Sequence, residues 1–477
     1  MEERKGFGSN FGFIMAAVGS AVGLGNIWGF PNKMGASGGA LFLIIYLVLA
    51  VFCGFIIMLG ELALGRKTGQ GAVGAYKVLS KKFGWMGWLG IASAFFILFF
   101  YCALGGYCIK YVVLNVGDLF GAGFGSNGLT GGEVFGAFMG SPVESIIYGL
   151  IFVAITMVIV MGGIGGGIEK VCSIGMPCLF VALIICIIRA LTLPGAVDGL
   201  KYMFVPGWAV ANGVIAEAPS FFNVLSTAGG QMFFSLSLGM GAMITYGSYL
   251  DKKENLEKNA VMIVVLDTLV ALMAGLCVIP ARFALDPEGA LGGPSLLFIT
   301  MQNVFQKMGS VGPIFGILFY LLVVFAAISS SISLLEVITT HFVDQAREAG
   351  KGDKRKKYCV TAAALVGLGC ILVCADCLGG NNIAPWQLLG LESYAGWNDC
   401  WLDFWDMLSE GIMMPLGALL MALMIGWEIG PEVVKGECEA TPGHKMGSFG
   451  FFKICIKVIT PLCMLFILYG QIKTFFG

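Results

Sequence analysis

The sequence predicts an all-α protein that crosses a membrane eleven times. Of its 477 residues, 58% are hydrophobic and only 12% are charged, whereas soluble globular chains carry about 25% charged residues. The mean hydropathy is +0.88. Apolar runs of roughly 18 residues or more, long enough to cross a bilayer as a helix, recur along most of the chain. These observations indicate a polytopic protein embedded in the lipid bilayer.

Polar, glycine-rich or proline-rich connections separate the apolar runs and set the boundaries of the predicted spans. The first run lacks a small-residue cleavage site, so it is interpreted as a retained span. Residues 278–308, with Pro280, Pro287 and Pro294, are predicted to form a long loop with room for short helices. The predicted spans are 11–31, 38–64, 86–119, 144–162, 168–193, 218–249, 260–282, 309–342, 358–377, 401–428 and 449–470.

The distribution of Lys and Arg predicts the orientation, because cytoplasmic loops are enriched in these residues. The connections 120–143 and 378–400 contain neither residue and are predicted to be external. The basic stretch "KGDKRKKY" is therefore interpreted as a cytoplasmic loop and not as a nucleic-acid-binding patch. This places the N-terminus in the cytoplasm and the C-terminus outside. The predicted cytoplasmic basic residues are Arg66, Lys67, Lys77, Lys81, Lys82, Lys252, Lys253, Lys258, Arg347, Lys351, Lys354, Arg355, Lys356 and Lys357.

Two predicted spans carry helix-breaking sequences in their middle. The first contains "VGSAVGLGNIWGFP", with Ser20 and Asn26, and the sixth contains "FFSLSLGMGAMITYGSY", with Ser235 and Ser237. The two interrupted spans are the first and the sixth, so they occupy matching positions in two sets of five spans. Interrupted helices at matching positions of two inverted halves are typical of secondary transporters that bind substrate and ions at the bilayer midplane.

An interrupted helix in hydrocarbon exposes backbone groups that cost several kcal/mol if they stay unsatisfied. A sodium ion can bind the freed carbonyls, and a carboxylate can bind the freed N–H groups at the start of a half-helix. Close helix packing by small residues is an alternative reason for Gly19 and Gly23. Packing alone does not explain why Asn26 and Ser20 share the segment, which favours a binding site.

Further polar residues lie inside predicted spans. "AAISSSISLL" places four serines on the eighth span, although a serine in a membrane helix often bonds to its own backbone. Asp267, in "VVLDTLV", is an ionisable group within a span and therefore a candidate functional residue. Glu61 is interpreted as structural, paired with Arg66 or with backbone groups.

The sequence argues against an enzyme. The two histidines, His341 and His444, lie outside the interrupted spans, and the chain shows no metal-ligand spacing. The glycine run "GGIGGGIEK" lacks the GK[ST] ending of a phosphate-binding loop. An ion channel whose broken helices line a pore is retained as an alternative function.

The 15 cysteines lie mostly in apolar runs, and Cys377 and Cys400 are either an external disulfide or free thiols.

With these residues in place, the chain resembles the neurotransmitter:sodium symporter family, especially its eleven-span bacterial amino-acid members with the bacterial leucine-transporter fold. The motifs that carry the resemblance are "GSAVGLGNIWGFP", "GELALGR", "FFSLSLGMGAMITYGSY" and "GGGIEKVCSIGMPCLF". The resemblance implies a five-plus-five inverted repeat with broken helices 1 and 6. It also implies uptake of amino acids or related amines coupled to two sodium ions.

The resemblance implies specific ligands. The first sodium site comprises the Ala21 carbonyl, Asn26, Ser235 and Asp267, completed by the substrate carboxylate. The second comprises the carbonyls of Gly19, Val22 and Ala326 with the hydroxyls of Ser329 and Ser330. The implied substrate-binding residues are Ala21, Leu24, Gly25, Ile97, Tyr101, Phe234, Ser237, Met240, Ser330, Ser333 and Leu334.

Two positions narrow the implied activity. Gly23 stands where monoamine carriers of the family have an aspartate, which favours a zwitterionic amino acid with an apolar side chain. Asp267 stands where chloride-dependent members have an asparagine, so its fixed carboxylate is expected to replace chloride and make transport chloride-independent.

The outer gate that the resemblance implies differs at one position from that of the family. The outer gate comprises Tyr101, Phe234 and Asp403, but Gly29 replaces the family's arginine. Lys33 as a substitute, a loose gate, or a substrate that carries positive charge all stay open. An amine or cationic substrate is therefore the alternative to a neutral amino acid. The implied inner gate comprises Arg4, Phe7, Ser248, Tyr249 and Asp344.

The whole chain, 1–477, is expected to form one integral membrane domain in the cell's inner (plasma) membrane. Repeat one covers about 11–193, repeat two about 218–428, and the additional span about 449–470. The expected partners are the small-molecule substrate and the lipid bilayer, with no nucleic acid. The sequence does not indicate an oligomeric state.

Overall fold

The computed structural model describes residues 6–350 and 354–476, and every regular element in these ranges is a helix. Nine helices in this part of the chain are each long and apolar enough to cross a membrane. They are Ala40–Thr68, Met86–Phe120, Pro142–Met161, Ile164–Leu191, Leu256–Leu285, Gly309–Glu348, Arg355–Asp376, Trp401–Glu428 and Phe449–Phe476. They correspond to predicted spans 2 to 5 and 7 to 11, and we number them accordingly.

Spans 1 and 6 are both interrupted, as the sequence predicts. Span 1 consists of Asn10–Ala21 and Gly25–Ala36, which are bent by 49° at the break. Span 6 consists of Phe221–Ser235 and Ala242–Gly247, of 15 and 6 residues. Each half of span 6 is shorter than the roughly 20 residues that a spanning helix needs. Length and composition therefore identify at most ten spans among the described residues, although the sixth run is also helical.

The predicted loop 278–308 is largely helical. Span 7 continues through Pro280 to Leu285, and helical structure resumes from Gly293 to Lys307. Gly199 allows the helix Ala196–Phe204 to pack closely on span 7 at Pro280, because a Cβ there would lie 2.5 Å from the Pro280 Cα. The remaining helices that connect spans are Ala72–Leu79, Gly131–Met139, Ala196–Phe204, Trp208–Ala211, Pro385–Leu389 and Glu432–Glu439.

Local capping explains several helix ends. The Ser9 hydroxyl accepts the backbone N–H of Gly12 at the start of span 1, and Asn255 accepts that of Lys258 at the start of span 7. Spans 2 and 3 end at Gly69 and Gly121, with φ of 63° and 60°, a left-handed conformation that glycine adopts without a steric penalty. Cys377 and Cys400 are free thiols, so the disulfide alternative does not form.

Burial separates central spans from peripheral ones. In the most apolar window of span 3, 72% of the residues are buried, against 28% in span 5. Span 8 packs along span 3, and span 1 packs against spans 5, 7 and 8. Large exposed apolar side chains such as Val158, Ile174 and Ile188 lie on spans 4 and 5. These spans therefore present their apolar faces to lipid and enclose the interrupted helices.

Glycines bring span 2 into backbone contact with the second half of span 6. A Cβ on Gly65 would lie 1.9 Å from the Ile244 carbonyl oxygen, and one on Gly247 would lie 2.5 Å from that of Leu62. Small residues allow membrane helices to approach this closely. The contact holds the short half-helix Ala242–Gly247 against a full-length span.

We predict that Gly65→Ala destabilises the protein. The new methyl group would meet backbone, so the two helices must separate, at a cost of about 1–3 kcal/mol. The melting temperature of the purified protein should fall by several degrees. Gly436→Ala is the matched control, because nothing lies within 4 Å of its Cβ position. Equal melting temperatures for the two variants would contradict the close-packing argument.

Candidate functional site

The break in span 1 leaves backbone groups that side chains from other spans satisfy. The helix ends at Ala21, and Val22 has an extended conformation with φ −74° and ψ 101°. The Ser330 hydroxyl donates to the Ser20 carbonyl at 3.0 Å, and the Ser329 hydroxyl donates to the Val22 carbonyl at 3.2 Å. The break therefore presents a row of carbonyl oxygens toward span 8.

The break in span 6 depends on backbone conformations that few residues adopt. Gly239 and Gly241 have φ of 82° and 77°, and Ser237 has φ of 54°. The Ser237 hydroxyl donates to the Ser20 carbonyl at 2.8 Å, which joins the two breaks. The Glu61 carboxylate accepts the Gly239 N–H at 2.7 Å. Glu61 thus binds a backbone group, one of its two expected roles, while Arg66 pairs with Glu437.

Asp267 forms the centre of a buried polar cluster at the breaks. Its two carboxylate oxygens accept from Asn26 Nδ2 at 2.7 Å and from the Ser235 hydroxyl at 2.9 Å. The Tyr46 hydroxyl lies 3.5 Å from the second oxygen. The side chains of Asp267, Asn26 and Ser235 are fully buried. None of the ion pairs between described residues includes Asp267, so a bound cation would supply the compensation that its buried carboxylate lacks from these residues.

The serines of span 8 divide between two sides of the helix. Ser329 also donates to the Ala326 carbonyl at 2.9 Å, and Ser330 lies 3.4 Å from the Gly19 carbonyl. Ser331 instead faces span 4, with its hydroxyl 2.8 Å from that of Thr156. The structure thus brings together Gly19, Val22, Ala326, Ser329 and Ser330 and separates Ser331 from them.

The residues expected to bind substrate lie beside this cluster. The Leu24 N–H donates to the Tyr101 hydroxyl at 2.9 Å, and the Tyr101 and Phe234 ring centroids are 6.4 Å apart. The Ser20 hydroxyl donates to that of Ser333 at 2.7 Å. Ile97, Met240 and Leu334 are buried on span 3, at the break of span 6 and on span 8.

Gly23 and Gly25 leave space that other side chains use. A Cβ on Gly23 would lie 2.2 Å from Ser330 Oγ and 2.4 Å from the Tyr101 hydroxyl, and one on Gly25 would lie 2.8 Å from the Phe234 ring. The structure therefore has no room for a carboxylate side chain at position 23 without moving Ser330 and Tyr101.

The outer side differs from the expected pairing. A Cβ on Gly29 would lie 2.8 Å from Gln231 Oε1, and Gln231 Nε2 donates to the Gly25 carbonyl at 2.6 Å. Lys33 forms an ion pair with Glu410. Asp403 takes part in none of the ion pairs between described residues. Sequence reasoning missed Glu410 and the contact of Gln231 with the break.

The inner side gathers most of its expected residues. The Phe7 ring packs edge-on against Tyr246 and Tyr249, with centroids 5.8 and 6.4 Å away. Asp344 Oδ2 accepts the Gly71 N–H at 3.0 Å, and the Ser248 hydroxyl donates to the Thr245 carbonyl at 2.6 Å. Arg4 lies outside the described residues.

A second inner contact was missed from the sequence. The Tyr249 hydroxyl donates to Glu336 Oε1 at 3.0 Å, and Glu336 forms an ion pair with Arg355. Arg355 also donates to the Val160 carbonyl at 3.0 Å. Spans 4, 6, 8 and 9 are thereby linked at their inner ends. Glu336 gave a signal, because it is an acidic residue in an apolar run.

Comparison with known proteins agrees with this architecture. Residues 4–119 and 138–476 match the Sodium:neurotransmitter symporter family. The uncharacterized sodium-dependent transporter YhdH of Bacillus subtilis is 33% identical over 468 residues, 96% of each chain. An uncharacterized sodium-dependent transporter of Methanocaldococcus jannaschii is 30% identical over 476 residues, 97% of this chain and 89% of the relative.

A solved structure also aligns with nearly the whole chain. The crystal structure of MhsT in complex with L-phenylalanine aligns with a TM-score of 0.83 and 34% identity, covering 98% of this chain and all of MhsT. The fold and the interrupted helices define a polytopic membrane transporter with the bacterial leucine-transporter fold. The chain belongs to the sodium:neurotransmitter symporter family, which comprises transporters and not enzymes.

Proposed function

We propose that this chain is a sodium-coupled secondary active symporter that imports neutral, mainly hydrophobic or aromatic amino acids by alternating access. The observation that carries the proposal is the convergence of carbonyls, hydroxyls and one buried carboxylate at the two breaks. Oxygen ligands suit a hard cation, and backbone N–H groups at the start of a half-helix suit a carboxylate. MhsT, whose structure holds L-phenylalanine, has the same fold.

The first sodium ion is proposed to bind the Ala21 carbonyl, Asn26, Ser235 and Asp267. The contacts of the Asp267 carboxylate with Asn26 Nδ2 and with the Ser235 hydroxyl support this set, since they bring the three side chains together. A bound cation would compensate the buried charge of Asp267. The substrate carboxylate would complete the coordination, so ion and substrate stabilise each other.

The second sodium ion is proposed to bind the carbonyls of Gly19, Val22 and Ala326 and the hydroxyls of Ser329 and Ser330. These oxygens come from both sides of one contact between span 1 and span 8. A cation there would hold the two spans together. Releasing it would loosen the contact, which is a route to opening.

The substrate carboxylate is proposed to bind the Leu24 and Gly25 amides and the Tyr101 hydroxyl. Its amino group would meet carbonyls at Ala21, Phe234 and Ser237. The substrate side chain would lie among Ile97, Phe234, Met240, Ser330, Ser333 and Leu334. The burial of Ile97, Met240 and Leu334 favours an apolar side chain, and the flexible Met240 favours several substrates. The absence of space for an acidic side chain at Gly23 argues against a monoamine.

Alternating access requires closure on each side in turn. Tyr101 and Phe234 are proposed to close over the substrate from outside, with Gly29 and Asp403 at the expected outer-gate positions. On the inner side, Arg4, Phe7, Ser248, Tyr249 and Asp344 are proposed to form the gate. The aromatic packing of Phe7 against Tyr249 supports the inner assignment.

The interruption of both span 1 and span 6 supports two inverted repeats, about 11–193 and about 218–428, with the additional span 449–470 outside them. Together these are proposed to form one transport domain over residues 1–477. We place the protein in the inner (plasma) membrane with the N-terminus cytoplasmic and the C-terminus external, because two of the external connections, 120–143 and 378–400, contain no Lys or Arg.

A second candidate is a sodium-coupled symporter for an amine or a cationic amino-acid-like substrate. It is favoured by Gly29 and by Asp403, whose carboxylate lies beside Asp399 within 4.8 Å and has no cationic partner in the described ion pairs. A sodium-conducting channel is a further alternative, and it would conduct sodium without any substrate dependence.

The first test is the melting temperature of the purified protein in sodium and in potassium, across the twenty amino acids and several amines. A ligand that binds only the folded state at 100 times its Kd stabilises that state by about 2.7 kcal/mol. We expect a rise in sodium alone, with a few apolar or aromatic amino acids. A rise with amines or basic compounds only would replace the amino-acid assignment with the second candidate.

We predict that Ser329→Ala and Ser330→Ala each lower the apparent affinity for sodium, because each removes one proposed ligand oxygen. The sodium concentration for half-maximal uptake should rise roughly tenfold, which corresponds to about 1.4 kcal/mol. Ser331→Ala is the matched control, since its hydroxyl faces Thr156 on span 4. If all three alanine variants keep the parent's sodium dependence, the second ion does not bind at these serines.

We predict that parent uptake is unchanged when gluconate replaces chloride, because the Asp267 carboxylate supplies the fixed negative charge. Asp267→Asn should slow uptake in gluconate and recover part of it as chloride is added. The measurement is initial uptake rate against chloride concentration in proteoliposomes. A variant that chloride never rescues would argue against the charge-replacement role of Asp267.

A further inference from the structure

An ion pair on the outer side joins the interrupted span 1 to span 10. Lys33 lies four residues after Gly29 on the outer half of span 1, and its ammonium group pairs with the Glu410 carboxylate. The two side chains are 24% and 7% exposed, so Glu410 is largely removed from solvent. A carboxylate this buried depends on its cationic partner.

Glu410 occupies a point where three spans meet. It belongs to a π-helical segment of span 10, Met407–Met413. A Cβ on Gly230 of span 6 would lie 3.6 Å from Glu410 Oε1, and 2.6 Å from the Gln471 amide. The carboxylate of Asp406, one turn earlier, is a second electrostatic neighbour of Lys33. The pair therefore ties the outer half of span 1 to span 10 beside the outer half of span 6.

The π-helical segment of span 10 explains why Glu410 faces the place where spans 1, 6 and 10 meet. One extra residue in a helical turn rotates everything after it by about 100° around the helix axis. Asp403 lies before this stretch and contacts Asp399 and Cys400 instead, with ligand atoms within 4.8 Å of one another. As a result, Glu410 faces span 1 and Asp403 does not.

The direction of the Lys33 side chain completes the arrangement. Long side chains on a helix point toward its N-terminus and cover the preceding turn, which here contains Gly29. The space beside Gly29 itself is filled by Gln231, whose Oε1 would lie 2.8 Å from a Cβ there. Gln231 also holds the Gly25 carbonyl at 2.6 Å, so it supports the break while Lys33 supplies the charge.

We infer that Lys33 and Glu410 form the extracellular charge gate of this chain, above the Tyr101–Phe234 pair, in place of a pair between position 29 and Asp403. The inference deepens the proposed function and rests on it. When the outer side closes over substrate, the pair forms and holds span 1 to span 10. When it opens, the pair separates and releases span 1 from span 10.

The test measures how fast bound radiolabelled substrate leaves the purified protein in sodium, together with the melting temperature. The substrate is the amino acid that gives the largest sodium-dependent shift in the first test. The variants are Lys33→Gln, Glu410→Gln and the exchanged pair Lys33→Glu with Glu410→Lys. Glu144→Gln is the matched control, because Glu144 pairs with Lys110 between spans 3 and 4 at 2.6 Å, away from the gate.

We expect each single variant to release substrate roughly tenfold faster or more, since breaking one partner of a mostly buried pair acts mainly on dissociation. The exchanged pair should recover most of the parent's slow release, and Glu144→Gln should release substrate at the parent's rate. Lys33 is the more exposed partner, so Lys33→Gln carries the test if Glu410→Gln does not fold.

Two results overturn the gate. One is parent-like release from both single variants. The other is fast release from Asp403→Asn with no effect at Lys33 and Glu410, which would return the gate to Asp403. In the first case, a fall in melting temperature without faster release would show that the pair has a structural role only. If the parent shows no sodium-dependent binding of any compound, the proposed function fails first and the gate fails with it.

Discussion

The structure depends on how the backbone polar groups at the two breaks are satisfied inside the bilayer. A carbonyl or N–H group without a partner in hydrocarbon costs several kcal/mol, so span 1 and span 6 can be interrupted only where other groups reach them. Ser330, Ser329 and Ser237 donate to carbonyls of span 1. Glu61 accepts an N–H of span 6. Every other central contact is arranged around these partners.

The same groups that satisfy the breaks are suited to bind cargo. A serine that donates to a carbonyl can instead turn its oxygen toward a cation, and that carbonyl can bind the same cation. Asp267 adds a negative charge at the point where Asn26 and Ser235 converge. In the proposed sites, ion binding, substrate binding and the stability of the interrupted helices would draw on one set of polar atoms, which is a physical basis for coupling them.

Two kinds of contact between the surrounding helices enclose this polar centre. Glycine contacts between span 2 and the second half of span 6 bring backbones together without side chains between them. Charged contacts lie at the two ends, with Lys33 and Glu410 outside and Glu336 and Arg355 inside. The carboxylates of both pairs are largely buried, so each depends on its cationic partner.

The sequence by itself determined the membrane class and both broken spans. Hydropathy and spacing identify apolar runs because a bilayer requires about 20 apolar residues, and glycine, serine and asparagine within such a run signal a break. The resemblance then named the residues around Asp267 and Ser329, and the structure places them in contact. The continuation of span 7 beyond residue 282 to Leu285 was not predicted, because Pro280 and Pro287 indicated a loop there.

Only the tertiary structure decided which partners meet. Ser329, Ser330 and Ser331 are adjacent in sequence, yet Ser331 faces span 4 because successive residues point about 100° apart around a helix. Glu410 pairs with Lys33, and Arg66 pairs with Glu437 and not with Glu61. These choices depend on helix rotation and packing across hundreds of residues, and a linear pattern of residue types does not contain that information.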